Sequence, residues 1–171
     1  MWRTYHFLIP LLSIFLVRVD LTDLIPLSMT AQSIKVLDGD TILINFYRSS
    51  YRVRLRHIDA PEKGQMAGKL DLGEYSSQCL RKLIKPSMKL YIHGHDRYHR
   101  ILGDLENVTL KMVQNGCAYI YDYAKFSNRW QKTSYLQGQN QAQSSRLGLW
   151  KFKVLNPREH RKNYPFRLTK K

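Results

Sequence analysis

The thirty residues SIKVLDGDTILINFYRSSYRVRLRHIDAPE, numbers 33–62, decide the fold. Ser33 to Leu37 and Thr41 to Tyr47 are β-branched and apolar, and Asp38-Gly39-Asp40 between them has the composition of a hairpin turn. Arg48-Ser49-Ser50 supplies a second turn. From Tyr51 to Ile58 the residues alternate, with Tyr51, Val53, Leu55 and His57 on one face and Arg52, Arg54, Arg56 and Ile58 on the other. That is the period of two imposed by a pleated strand. Ala60-Pro61 ends the run, since proline has no N–H to give a ladder. Three strands in a meander are expected here.

Beyond Glu62, Lys63 to Leu72 is polar and glycine-bearing and reads as a surface loop. Glu74 to Lys85 places Cys79, Leu80, Leu83 and Ile84 at helical spacing, and Pro86 stops it. Met88 to His93 and Ile101 to Leu105 read as two further strands around the basic turn Asp96-Arg97-Tyr98-His99-Arg100. Val108 to Gln114 reads as a short helix ended by Asn115-Gly116, and Arg129 to Leu147 as a long polar helix with Gly148 as its C-cap. Five strands with about three helices predict a mainly β, α+β domain, a five-stranded OB-type barrel. A chain of 171 residues suits one such domain with extensions.

Charge points to the partner. Twenty-eight Lys+Arg against thirteen Asp+Glu give a net charge of +15, which favours a polyanion such as nucleic acid. An anionic membrane surface would attract the same composition. Residues 151–171 hold eight basic residues against the single acid Glu159, and read as a phosphate-gripping or solvated C-terminal extension. Cys79 and Cys117 are too few for a disulfide-built scaffold and are expected as buried thiols, with a single disulfide left open if the protein is exported. Phe7 to Val17 is an eleven-residue apolar run preceded by Arg3. It is shorter than the roughly 20 residues a bilayer crossing needs. Residues 1–31 are therefore expected to be a secretory signal, with an uncleaved membrane anchor or a helix packed on the domain as alternatives. The expected organisation is leader or anchor, a catalytic domain over 32–150, and a basic tail.

Acids and arginines recur at fixed places: Asp38, Asp40, Asp59 and Glu62, with Arg54, Arg56 and Arg100. Taken singly, the aspartates are ordinary turn formers and the arginines a solvated strand face. Taken together they supply carboxylates for a divalent cation and guanidinium forks for phosphate, the requirements of metal-assisted phosphodiester cleavage.

In these motifs the chain resembles the staphylococcal nuclease (thermonuclease-like) family. The resemblance is carried by Asp38-Gly39-Asp40-Thr41, by Arg54-Leu55 leading to Ile58-Asp59-Ala60-Pro61-Glu62, and by Asp96-Arg97-Tyr98 with Arg100. Asn115-Gly116-Cys117-Ala118 and Gly148-Leu149-Trp150 are similar to later landmarks, so that residues 32–150 are covered. The resemblance implies an OB-type barrel with helices, and a Ca²⁺-dependent, sugar-non-specific endonuclease acting on DNA and RNA. It implies that Asp40 and Asp59 bind the metal with the main-chain carbonyl of Ala60, that Glu62 is the general base, that Arg54 and Arg100 bind phosphate, and that Tyr98 lines the nucleotide pocket. Two residues depart from the family pattern. His57 stands where a small or aliphatic residue is usual, and His99 replaces a glycine, which raises the question of the loop conformation around Arg100.

His93, His95 and His99 invite a transition-metal reading, but only Asp96 lies close enough in sequence to help, and contacts with phosphate or water are expected instead. Tyr119 is expected to pack on the barrel, whereas Tyr121, Tyr123 and Trp130 are open to base stacking. The rival reading is a catalytically inactive OB-type module that binds nucleic acid, tethered to a membrane or free. Export to the medium or cell envelope, as a monomer, accompanies the nuclease reading.

Overall fold

In the computed structural model, which describes residues 27–30, 33–46 and 48–165, the chain first enters the sheet at Leu27–Thr30 (β1). The decisive stretch then forms β2 (Ser33–Val36), β3 (Thr41–Phe46), β4 (Ser49–Leu55) and the two-residue β5 (Ile58–Asp59). A small ladder, β6 (Met66–Ala67) and β7 (Leu70–Asp71), leads into helix α1 (Leu72–Leu83). Strands β8 (Lys89–His95) and β9 (Ile101–Leu105) flank the basic turn, followed by helix α2 (Val108–Gln114) and β10 (Tyr119–Ile120). Helix α3 (Arg129–Ser144), a 3-10 turn at Gly148–Lys151 and helix α4 (Pro157–Asn163) complete the described chain.

Six strands make the main sheet, in the order β1-β8-β9-β4-β3-β2. Every neighbouring pair is antiparallel except β4 and β9, which run parallel with Arg54 opposite Leu102. β10 pairs with β5 outside this sheet, placing Tyr119 opposite Asp59. The α+β class agrees with expectation, but the strand count does not. The sheet has six strands rather than five, and among the described residues no pairing joins its edges β1 and β2 into a closed barrel. The added strand is β1, whose Leu-Ser-Met-Thr carries too short a pattern to signal a strand. The folded domain therefore begins before residue 32. The apolar run of residues 7–17 lies outside the described residues, and no described helix is long and apolar enough to cross a membrane.

Alternation does the packing. Ile42 and Ile44 on β3 and Val53 and Leu55 on β4 are buried, and they meet Leu80 of α1, Leu90 and Leu105 of the sheet, and Val108, Met112 and Val113 of α2. Each such side chain contributes about 1.5–3 kcal/mol on burial. The strand expected to run to Ile58 breaks at Arg56-His57, because His57 takes a left-handed φ of 67°. That kink turns Ile58 and Asp59 away from the main sheet and toward β10.

Helix starts follow their caps. α1 begins before the expected Glu74 because the Asp71 carboxylate accepts the Glu74 N–H at 3.0 Å. α3 starts at Arg129 as expected, where Asn128 accepts from Gln131 N–H at 2.8 Å. One expectation is overturned: Cys79 and Cys117 are a disulfide, with Cα atoms 6.1 Å apart, rather than two separate thiols. Helical spacing turns Cys79 inward, and the left-handed Gly116 turns the chain after α2 back toward α1. No spacing rule in the sequence reveals that meeting.

Candidate active site

Asp40 closes the turn between β2 and β3. Asp38 Oδ1 accepts the Asp40 N–H at 3.0 Å, and Leu37 and Asp38 N–H both donate to Thr41 O, so the turn is tied from both sides. The Asp40 carboxylate is buried, with Oδ1 accepting from Thr41 Oγ1 at 3.1 Å and Oδ2 from the Ala60 N–H at 2.8 Å. Arg54 comes from β4, opposite Thr41 in the ladder. Its guanidinium joins two acids: Nη1 lies 3.0 Å from Asp40 Oδ2 and Nη2 lies 3.3 Å from Asp59 Oδ1. Nη1 also donates to Leu55 O at 3.2 Å, which fixes the fork against the backbone.

Burial pushes the Asp40 carboxyl up to about 7, opposed by the Arg54 charge and the Ala60 N–H and reinforced by Asp38 and Asp59. Burial, more than the neighbouring charges, sets this shift. Two carboxylates and the adjoining Ala60 peptide offer oxygen donors, the kind that a hard cation such as Ca²⁺ takes. A group of three or more His, Cys, Asp or Glu side chains placed to hold a metal is absent among the described residues.

Glu62 is exposed, just past buried Pro61, and its backbone carbonyl accepts from Gln65 N–H at 3.0 Å. It joins the acid pair through a residue the sequence reading did not single out. Arg161 of α4 places Nη2 2.7 Å from Asp59 Oδ2 and Nη1 2.9 Å from Glu62 Oε1. Partial burial opposes its charge, but donation to Asp59 and Glu62 prevails and holds the guanidinium more firmly protonated than usual. The signal for α4 itself was present, since Asn156-Pro157-Arg158-Glu159 is an N-cap, proline and capping-box pattern, and both reciprocal bonds form. Its docking was not legible, because a basic run reads equally well as a solvated tail.

Three contacts seat this C-terminal segment. Gln65 Nε2 donates to Leu155 O at 2.8 Å, Pro157 is buried, and Arg158 reaches Asp122 at 2.8 Å and Tyr123 Oη at 2.7 Å. The basic extension expected over 151–171 is thus ordered against the site for part of its length.

Arg100 and Tyr98 occupy the turn between β8 and β9. Asp96 organises it, accepting from Tyr98 N–H at 2.8 Å, Arg100 N–H at 2.9 Å and Arg100 Nε at 2.7 Å. Burial opposes ionisation, but these donors together outweigh it and hold the Asp96 carboxyl below its ordinary value. Arg100 immediately precedes β9, two residues before Leu102, which lies opposite Arg54 in the parallel ladder. Its guanidinium lies over the Tyr98 ring at 5.7 Å, and Arg97 lies over that ring at 4.9 Å. Tyr98 is 63% exposed. His99 resolves the question raised by the missing glycine: it adopts φ 60° itself. Histidine is among the residues that tolerate this region.

The remaining histidines and aromatics sort clearly. His57 is buried, stacks on Phe126 at 4.8 Å, and its Nε2 lies 3.0 Å from Lys125 O. Its Nδ1 is 3.4 Å from Asp104 Oδ1, while Arg56 and His93 reach Asp104 Oδ2 at 3.2 and 3.0 Å. Arg56 therefore serves an internal network, unlike Arg54 two residues earlier. Tyr119 packs edge-on to Trp150 at 4.9 Å, as expected. Tyr121 is exposed beneath Arg54, with 6.0 Å from guanidinium to ring, and Tyr123 and Trp130 are exposed too.

Two acids are thus clamped by one arginine on a strongly basic chain. Residues 52–152 match the sequence model of the family described as staphylococcal nuclease homologue. An "Uncharacterized endonuclease" of Haemophilus influenzae is 35% identical over 127 residues, covering 71% of this chain and 66% of that protein. One of the same description from Escherichia coli is 37% identical over 123 residues, covering 68% and 74%. A "Micrococcal nuclease" of Shigella flexneri is 34% identical over 130 residues, covering 68% and 71%. The chain belongs to the staphylococcal nuclease family, whose fold is OB-like, and it spans about two thirds of the length of the Haemophilus relative.

Proposed function

We propose that the protein is a Ca²⁺-dependent endonuclease that hydrolyses phosphodiester bonds of DNA and RNA without selecting the sugar. The observation that carries this reading is the convergence of Asp40 and Asp59 on the Arg54 guanidinium, at 3.0 and 3.3 Å. Asp40, Asp59 and the Ala60 carbonyl are the groups that would hold the cation. Bound there, Ca²⁺ supplies Lewis acidity to a phosphoryl oxygen and a fixed place for the attacking water.

The chain's own residues do the rest. Glu62 accepts the proton of the attacking water, a role suited to an exposed carboxylate beside the buried acids. Arg54 and Arg100 offer planar forks to the phosphate oxygens and stabilise charge that develops as the bond to phosphorus forms. Tyr98 and Tyr121 present exposed rings for bases, and stacking is tolerant of sequence. None of these contacts reads a 2′-hydroxyl, which fits action on both nucleic acids.

We propose export to the medium or cell envelope, a reading supported by the Cys79–Cys117 bridge, since such bonds persist in oxidising compartments, and by the apolar run of residues 7–17. That run is proposed as a signal, or failing cleavage as an anchor, on a monomeric enzyme. The test uses the full chain with supercoiled plasmid and single-stranded RNA, in Ca²⁺ or in chelator. Cleavage of both in Ca²⁺ alone is expected. Cleavage that persists in chelator refutes the mechanism, and binding without cleavage in Ca²⁺ marks an inactive binding module.

A further inference from the structure

Asp59 has no oxygen to spare. Oδ1 takes Arg54 at 3.3 Å and Oδ2 takes Arg161 at 2.7 Å. A cation that enters the acid pair meets a guanidinium on each of these oxygens, and repulsion between like charges favours release of one of them from Asp59. The two arginines are held very differently. Arg54 is half-buried on a central strand, and its guanidinium is also bonded to Leu55 O and Asp40 O. Arg161 sits on a seven-residue helix, its side chain 41% exposed, and its second partner Glu62 is exposed as well. Short helices owe their stability to docking rather than to their own hydrogen bonds. Arg161 is the contact that yields.

We propose that Arg161 is a tethered occupant of the cation position: α4 and a divalent cation bind the Asp59–Glu62 pair in competition, so that metal uptake undocks Arg161. The proposal rests on the cation reading given above and extends it to regulation of the same site. With Arg161 seated, Asp59 is neutralised from both sides and Glu62 is engaged by a hydrogen-bonded cation, which quiets a general base. Once Arg161 is released, Asp59 Oδ2 and Glu62 Oε1 are both free, and one event prepares the metal ligand and the base together. Linkage makes the effect reciprocal: whatever α4 subtracts from cation affinity, the cation subtracts from α4 docking.

Two measurements that do not depend on turnover test this. Calorimetric titration of the full chain with Ca²⁺ alone should show Arg161→Gln binding about 5- to 100-fold tighter than wild type, the usual span of such couplings. Lys162→Ala removes the same unit charge one residue along without removing a partner of the acids, and should leave the affinity unchanged. Arg158→Ala, which loosens α4 at Asp122 and Tyr123, should tighten Ca²⁺ binding by a smaller factor. Hydrogen exchange on wild type should show the amides of His160 and Tyr164, which close α4 onto Asn156 O and His160 O, exchanging faster when Ca²⁺ is added. Equal affinity in wild type and Arg161→Gln, or equal gains from Lys162→Ala, overturns the proposal and leaves the cation reading standing. Weaker binding by Arg161→Gln also overturns it and makes Arg161 a positioning residue for the acids. No Ca²⁺ binding by any variant sinks the cation reading and this inference with it.

Discussion

Reducing the Cys79–Cys117 bond should cost the protein a large part of its stability. The bond ties α1 to the segment after α2 across a sequence separation of 38. For a closed loop of that size the chain-entropy relation gives about 13 cal/mol/K, or about 4 kcal/mol near room temperature. The Cα separation of 6.1 Å lies within the ordinary range for a bridge, so no strain is set against that figure. A domain of intermediate size changes its Tm by roughly 3–5 °C per kcal/mol, so a drop of about 10–20 °C is expected. The assay is thermal unfolding followed by circular dichroism, with and without a thiol reductant. It is repeated on the double variant Cys79→Ala, Cys117→Ala. Oxidised wild type should melt highest, while reduced wild type and the double variant should melt together and ignore the reductant. A reduced wild type within about 3 °C of the oxidised form refutes the reasoning, because the unfolded chain is then no freer without the bond. So does a double variant that falls further on adding reductant.

Other outcomes follow from the same geometry. Arg54→Lys should leave the protein folded but lower kcat by about 100- to 1000-fold, since one ammonium cannot span Asp40, Asp59 and a phosphate oxygen; a rate near wild type removes the role. His99→Val should lower stability by about 1–2 kcal/mol and reduce cleavage by misplacing Arg100, because a β-branched residue resists the left-handed backbone that histidine accepts; His99→Gly should remain active. Burial raises the Asp71 carboxyl, but the N–H groups of Glu74, Gly64 and Gly73 together outweigh it and hold the group below its ordinary value. A lowered folded value means its contribution is complete above the unfolded carboxyl value of about 4 and is lost as pH falls through the folded one. Asp71→Asn, which still caps but does not ionise in this range, should therefore lose less stability to urea between neutral pH and acid than wild type does; equal losses refute it.

Much of this molecule is legible in residues 33–62, because alternation, turn chemistry and a proline all agree there. Ile42, Ile44, Val53 and Leu55 announce their burial by period alone. The acids of the site are legible by type and order, and the register of β3 with β4 accounts for why Asp40 meets Arg54. What was not legible depends on tertiary meeting rather than local pattern. His57 breaks its strand through a backbone angle that no side-chain alternation encodes. The strand β1 gains its order from pairing with β8, and the cystine from two turns of chain that converge. Arg161 is the sharpest case: its helix had a readable start, yet its partners lie 102 and 99 residues upstream.

Two glycines that touch no substrate set how tightly the acid loops are seated. A side chain on Gly39 would overlap Ser76 of α1 and come within 2.6 Å of Ala60 Cβ, and one on Gly73 would come within 2.5 Å of the Glu62 carbonyl. Both loops therefore rest directly on the first turns of a single helix, with no layer of side chains between them to absorb error. In a library of all single replacements scored for cleavage, these two uncharged positions should be as intolerant as the charged ones, and even alanine should be rejected. A designer wishing to retune this site has freedom at exposed Glu62 and Tyr98 and almost none at these two glycines.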